Sequence, residues 1–450
     1  MRRYLSWSLF AACVAGLALA LSACGGDEEA APPPAEPAPA EPAPAEPPAE
    51  EPAAEPPAEE PAAEPPAEEP AAEPTGEPII IGVAAGLTGP LAPWGLLPSR
   101  LSELAIEDIN AAGGVLGRPL ELVTADDKSD FAANGAATAI EVIDQGAVIV
   151  VTSCDFDWSA PAQAEATGRG IPAISFCAGA PQFGPNGLGP LTFSAGIATP
   201  NEASVPAEWA YEEQGWRNAF ILNDPVIAYD TTYCDSFAAR WEELGGTVVG
   251  EDTFENADPQ LGPVITRMQG TDPQPDFIML CSIPPAGASA IRQIRAAGID
   301  TAILMNTGNA GDWWFDQIGE PLSNAYQSTY GSWKGDDEIE LINELAVRYE
   351  EKFGEPIVQP HTYMGYQVIQ VIADAIERAG STDGQAIADA LAQTDGDFLI
   401  GHHTIDADYN HSFTLPVTIM KIENGEASFL TRRQPTGDPR TLWEQNVVGG

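Results

Sequence analysis

Beyond residue 78 the chain alternates short apolar runs with longer amphipathic segments, and this rhythm restricts the fold more than any single motif does. Ile79-Ile80-Ile81-Gly82-Val83 reads as a strand. Residues 99–110, with Leu101, Leu104 and Ile109 on one side, read as a helix that Gly113-Gly114 ends. A strand at 120–124, a helix at 134–144, a strand at 147–152, a short helix at 161–168 and a strand at 171–175 follow. The pattern restarts with a strand at 218–222, a helix through Phe237 and Leu244, and Thr247-Val248-Val249. Residues 263–268, 277–281, 289–297 and 302–305 continue it. Strand, helix, strand in series predicts parallel sheets with helices on both faces. Two such series predict two doubly wound α/β lobes, for which about 370 residues are ample.

The residues before this rhythm do not belong to a fold of that kind. Arg2 and Arg3 precede an apolar core at 9–21 that is too short to span a bilayer, and small residues lead from it to Cys24. Residues 1–23 read as an export signal. Leu21-Ser22-Ala23-Cys24 resembles a bacterial lipobox, which implies cleavage before Cys24 and a diacylglycerol on its sulfur; the competing reading is an ordinary secretory signal with a chance cysteine. Residues 24–77 then collapse to repeats such as Pro-Ala-Glu-Glu-Pro-Ala-Ala-Glu-Pro. With no bulky apolar residue to bury, the segment is expected to be a disordered stalk. Extended as polyproline II at ~3.1 Å per residue, it would hold the lobes at most on the order of 150 Å from a membrane.

The formal net charge is -48, much of it in this tract. A solvated acidic surface is the reading that fits, and nucleic acid is excluded because no Lys/Arg cluster follows Arg3. No later run of eighteen apolar residues offers a second membrane segment.

Several segments carry a family likeness. Gly86-Leu87-Thr88-Gly89-Pro90, Trp94-Gly95 and Asp108-Ile109-Asn110-Ala111-Ala112-Gly113-Gly114-Val115-Leu116-Gly117 resemble the start of the branched-chain amino-acid type substrate-binding proteins of ABC transporters. Asp126-Asp127, Ile171-Pro172-Ala173-Ile174-Ser175 and Ile291-Arg292-Gln293-Ile294-Arg295-Ala296-Ala297-Gly298 extend the likeness in order over residues 78–429. The resemblance implies a type I periplasmic binding protein fold. Its two lobes would be joined by three crossovers, near 198–201, 330–336 and 406–413, with a small ligand held in the cleft between them. On this reading residues 78–199 and 334–408 form lobe 1, and residues 200–333 and 409–450 form lobe 2.

Ligand residues in such a family come from loops at the carboxyl ends of strands. The resemblance places Trp94 as an aromatic wall, against the alternative of an ordinary core indole. It places Phe156 and Asp157, in Cys154-Asp155-Phe156-Asp157-Trp158-Ser159, where relatives hold a ligand carboxylate with a serine and backbone amides; the serine is missing here. Ala178 and Gly179 fall where backbone groups and a threonine hold the amino acid, again without the threonine. Tyr229 matches a pocket tyrosine, although a plain loop residue reads the same. Asn309, with Gly308, stands where an acidic residue would meet the ligand ammonium. Without that carboxylate a buried ammonium is costly, so Asp157 or Asp312 would have to substitute, or the ligand would be an amide, a carboxylate or an aromatic compound. Trp313, Trp314 and Tyr363 are further candidates for lining, and each reads equally as packing.

Once Cys13 leaves with the signal and Cys24 takes lipid, Cys154, Cys177, Cys234 and Cys281 remain, and four cysteines allow three pairings. Cys154 and Cys177 follow strands expected to be neighbours in lobe 1, and Cys234 and Cys281 are similarly placed in lobe 2. One disulfide per lobe is therefore expected. A zinc site lacks the close Cys-x-x-Cys spacing.

Enzymatic motifs are missing. His402-His403 and His411 lack metalloprotease spacing, and there is no Gly-x-Ser-x-Gly elbow, no Walker lysine loop and no dinucleotide glycine pattern. The sequence thus predicts a non-catalytic solute receptor that needs neither cofactor nor metal. It would be extracytoplasmic, monomeric, lipid-anchored on the periplasmic or cell-wall side, and would deliver an amino acid, amide or carboxylate to ABC permease subunits. The alternative is a lipoprotein that senses the ligand and signals to a membrane partner.

Overall fold

The computed structural model describes residues 74–256, 260–437 and 440. The export signal, Cys24 and the stalk before residue 74 lie outside the described residues, as does the end of the chain from 441. Thr75 already donates its N–H to the Gly117 carbonyl at 2.8 Å, and Arg118 Nε reaches the Glu77 carbonyl at 2.7 Å. Contact with the folded part therefore begins inside the last residues assigned to the stalk.

The first sheet is built from β1 (Ile79–Ala85), β2 (Leu120–Asp126), β3 (Ile149–Thr152), β4 (Ala173–Ser175) and β5 (Thr192–Ser194), in the order β2-β1-β3-β4-β5 and parallel throughout. Between these strands run α1 (Ala92–Ala111), α2 (Phe131–Asp144) and α3 (Phe156–Gly168). β1 and β3 are covered on both faces, which is why they read as continuous apolar runs rather than alternating ones. Leu101, Leu104 and Ala105 put the i, i+3, i+4 face of α1 into the core. The helix starts seven residues before the expected position. Pro98, one residue before the stretch expected to be helical, is accommodated inside it, and Pro93 near its N-terminus has the fixed φ a first turn accepts.

The chain then enters α4 (Thr199–Glu212) and a second winding: β6 (Asn218–Asn223), α5 (Ala228–Glu243), β7 (Thr247–Thr253), α6 (Gly262–Gln269), β8 (Phe277–Cys281), α7 (Ala286–Ala296), β9 (Ala302–Met305) and β10 (Ala325–Thr329). Next come α8 (Glu340–Phe353), α9 (Tyr363–Ala379), α10 (Gly384–Leu391) and a hairpin of β11 (Asp395–Phe398) and β12 (Gly401–Thr404). α9 packs against α1 and so rejoins the layer over the first sheet. There Ser102 Oγ donates to the Gly365 carbonyl at 2.9 Å. Finally β13 (Val417–Glu423) and β14 (Glu426–Arg433) return to the second sheet, whose order is β14-β13-β10-β9-β8-β6-β7. Its β7 to β10 part is parallel, whereas β13 and β14 are antiparallel additions at the edge that the strand–helix rhythm did not announce.

The chain therefore passes between the sheets three times. Ile197 on the first passage bridges to Ser412 on the third, and Asp406 pairs with His411 beside them. On the second passage Tyr363 donates its hydroxyl to the Ser332 carbonyl at 2.9 Å, and the buried Asp337 carboxylate takes Arg432 at 2.7 Å. Disulfides join Cys154 to Cys177 and Cys234 to Cys281, with Cα separations of 4.5 and 6.0 Å, one beside each sheet. Among the described residues no helix is long and apolar enough to cross a membrane.

Candidate functional site

Both sheets point the carboxyl ends of their strands at one small cavity. Trp94 arrives on the first turn of α1, because the loop after β1 lies flat against that helix. A Cβ on Gly95 would stand 2.3 Å from the Gly86 carbonyl oxygen, so only glycine permits the approach. Cys154, Asp155 and Trp158 come from the β3 to α3 turn, and Cys177 follows β4. From the second sheet come Ile227 and Tyr229 after β6, Ile283 after β8, Thr307 and Gly308 after β9, and Tyr330 after β10. His361, just before α9, completes the wall. The space enclosed is about 20 Å³, close to the room one water needs.

The wall is aromatic and acidic. Trp94 meets Trp158 edge-on at 5.4 Å and Trp313 at 5.9 Å. Asp155 is the N-cap of α3, its carboxylate accepting from the Asp157 N–H at 2.9 Å. Burial first, and then the nearby Asp157, push Asp155 up to about 7. Tyr229 donates its hydroxyl to Glu202 Oε1 at 2.8 Å. Burial pushes Glu202 up to about 8, even though Tyr229 and the Thr307 N–H favour its ionised form. Burial, with Asp224 next, also raises Asp230 well above the carboxylate range, although Asn306 donates to its Oδ1 at 2.7 Å. His361 is pushed down to about 3 by burial and stays neutral.

Of the residues expected at the ligand, Trp94 and Tyr229 share the cavity wall. The others stand beside it with protein partners of their own. Phe156 packs edge-on against Phe183 at 5.1 Å, and Asp157 accepts from the Ala228 N–H at 3.1 Å. The Ala178 N–H donates to Ser175 Oγ at 2.9 Å, and the Gly179 carbonyl accepts from the Thr199 N–H at 2.9 Å. Asn309 donates to the Ser282 carbonyl at 2.7 Å and to Asn306 at 2.9 Å, leaving its neighbours Thr307 and Gly308 to face the cavity. Asp312 pairs with Lys334 at 3.0 Å, while Trp314 and Tyr363 are core residues.

Sequence reading missed Asp155, Trp158, Glu202, Thr307, Tyr330 and His361. Asp155 and Trp158 flank the two residues chosen in the same loop, and Tyr330 opens the expected second crossover, so the signal was one of position. Nothing local distinguished Glu202, on α4, from the other acids of so acidic a chain.

Two doubly wound sheets with a polar, aromatic cavity at their facing carboxyl ends define a two-lobed solute-binding protein. The chain belongs to the periplasmic binding protein family, whose profile matches residues 78–427. Among curated relatives, it is 26% identical over 319 residues to the Leu/Ile/Val-binding protein homolog 3 of Brucella melitensis, covering 70% of this chain and 83% of that one. The branched-chain amino acid transporter substrate-binding protein LivJ of Streptococcus pneumoniae, solved with isoleucine, superposes with a TM-score of 0.66 at 23% identity over 79% of this chain and 99% of that one. An ABC-transporter solute-binding protein from R. palustris, solved with benzoate, gives 0.63 at 16% identity over 80% and 97%. The family is one of solute-binding proteins rather than enzymes.

Proposed function

We propose that this chain is the extracytoplasmic solute-binding protein of an ABC importer, taking an amino acid or a related small polar compound into the cleft and delivering it to permease subunits. The observation that carries the reading is the convergence of Trp94, Asp155, Trp158, Tyr229, Thr307 and Tyr330 from two sheets on one cavity. A solute touching both walls stabilises the closed arrangement by its differential affinity for it, and closure is the signal a permease reads. The relatives solved with isoleucine and with benzoate support an amino acid or a carboxylate as the solute. Residues 78–199 with 334–408, and 200–333 with 409–450, are the two lobes. The protein acts as a monomer without a cofactor, and lipid on Cys24 tethers it through the Ala/Glu/Pro stalk.

The test is a thermal-shift screen of the mature chain with branched-chain and aromatic amino acids, small primary amines, short amides, urea and small carboxylates. A true ligand at a hundred times its dissociation constant stabilises the fold by ~2.7 kcal/mol, a shift of a few degrees. Turnover of any compound, or silence across the panel, counts against the proposal.

A further inference from the structure

The wall of the cleft cavity carries one carboxyl group, that of Asp155, and four aromatic side chains. Asp155, 3% exposed, lines the cavity and caps α3 with its own carboxylate. The start of α3 is the point on this wall where a ligand anion would find backbone N–H groups and the positive end of a helix dipole. A protein carboxylate already takes that place, accepting from the Asp157 N–H. Among the described residues no Lys or Arg lines the cavity, and the basic side chain that does, His361, is neutral, with its Nδ1 engaged by Gln359. Behind the wall stand two more buried acids, Glu202 under the Tyr229 hydroxyl and Asp230 under Asn306. An anionic ligand group would enter this space with no cation to meet it, whereas an entering ammonium drives the proton off Asp155, whose value burial has raised to about 7, and pairs with the carboxylate left behind.

The remaining features favour the opposite charge. Trp94, Trp158, Tyr229 and Tyr330 surround the same space, and the faces of such rings attract cations, most strongly where water is excluded. Thr307 is 2% exposed, lines the cavity, and its Oγ1 has no hydrogen-bond partner, so an acceptor stands ready for a ligand donor.

We infer that the cleft selects a small organic cation without a carboxylate, its ammonium seated among Trp94, Trp158, Tyr229 and Tyr330 and facing Asp155. The inference rests on the solute-binding reading but departs from the ligand classes named there: amines are taken, and zwitterionic amino acids and carboxylates are refused. Three compounds sharing one hydrocarbon skeleton separate the charges, namely isoamylamine, leucine and isocaproate. Calorimetric titration of the mature chain, read together with tryptophan fluorescence, is expected to show isoamylamine binding about tenfold or more tighter than leucine and no binding of isocaproate. Asp155→Asn is expected to weaken the amine by about tenfold, the loss of a charge-assisted contact. Because that change also touches the α3 cap, Glu202→Gln, which leaves α3 intact, is titrated beside it and is expected to weaken the amine by a smaller factor. Leucine or isocaproate bound as tightly as the amine overturns the inference and leaves solute binding standing. So does an amine affinity unchanged in both variants. Absence of heat and quenching with all three compounds also overturns it, while the wider thermal-shift panel decides solute binding separately.

Discussion

Asp157 at the start of α3 accepts, through Oδ2, a hydrogen bond from the backbone N–H of Ala228 at the start of α5, 3.1 Å away. The two helices belong to different sheets, so this bond ties the two halves of the fold together beside the cavity and would break if they moved apart. Asp157 was expected from the family resemblance as a ligand contact; in the structure its carboxylate ties a helix of one sheet to a helix of the other, as a latch would.

Asp157→Ala is therefore expected to favour the open arrangement. Losing one such bond is worth about 1 kcal/mol, which lowers ligand affinity roughly fivefold. Small-angle scattering of the variant should show a larger radius of gyration, and Asp157→Asn, which keeps an acceptor, should restore most of the affinity. An unchanged affinity in Asp157→Ala would remove the latch.

Stability is expected to fall as pH rises from about 5 to 8. Burial raises Glu202 from its ordinary 4.5 to about 8 and Asp155 from 3.8 to about 7, so the folded protein holds protons that the unfolded chain releases. This contribution is fully present below the unfolded values and is lost as pH passes through the folded ones, with a slope of at most about 1.4 kcal/mol per pH unit for each group. Melting temperatures measured across that window should flatten above pH 7 in Glu202→Gln. A slope identical to that of the parent would contradict the assignment.

Each disulfide closes a loop, of 23 residues for Cys154–Cys177 and 47 for Cys234–Cys281. Constraining the unfolded chain this way is worth about 3 kcal/mol per bond. Urea denaturation of the Cys154→Ala/Cys177→Ala double variant should show that loss, and adding reductant to the parent should reproduce the loss of both. Curves that superpose with and without reductant would rule the bonds out.

A Cβ placed on Gly365 would lie 1.7 Å from the Pro98 carbonyl oxygen, where α9 crosses α1. The obstacle is backbone, so Gly365→Ala must push the helices apart, at about 1–3 kcal/mol. Gly262→Ala, at a position with no atom within 4 Å of the new Cβ, should leave the melting temperature almost unchanged. Equal melting temperatures for the two variants would argue against the tight crossing.

What the sequence determined by itself was local or periodic. Runs such as 277–281 and 302–305 became β8 and β9 with the expected bounds, because a parallel strand buried on both faces is a short, continuous apolar run. The cysteine pairing followed from the same rhythm, since neighbouring strands bring the residues after them close together. Tertiary structure decided the rest. Pro98 lies within α1, and β13 and β14 run antiparallel at the sheet edge, because packing overrode the local signals at those places. The cleft was legible only in part: Trp94 and Tyr229 were found through the family resemblance, whereas Glu202, Thr307 and Tyr330 reached the site through the crossovers and second-sheet windings that bring distant segments together. Which carboxylates stay protonated depends on burial and on neighbours far along the chain, and these exist only once the two sheets have closed on each other.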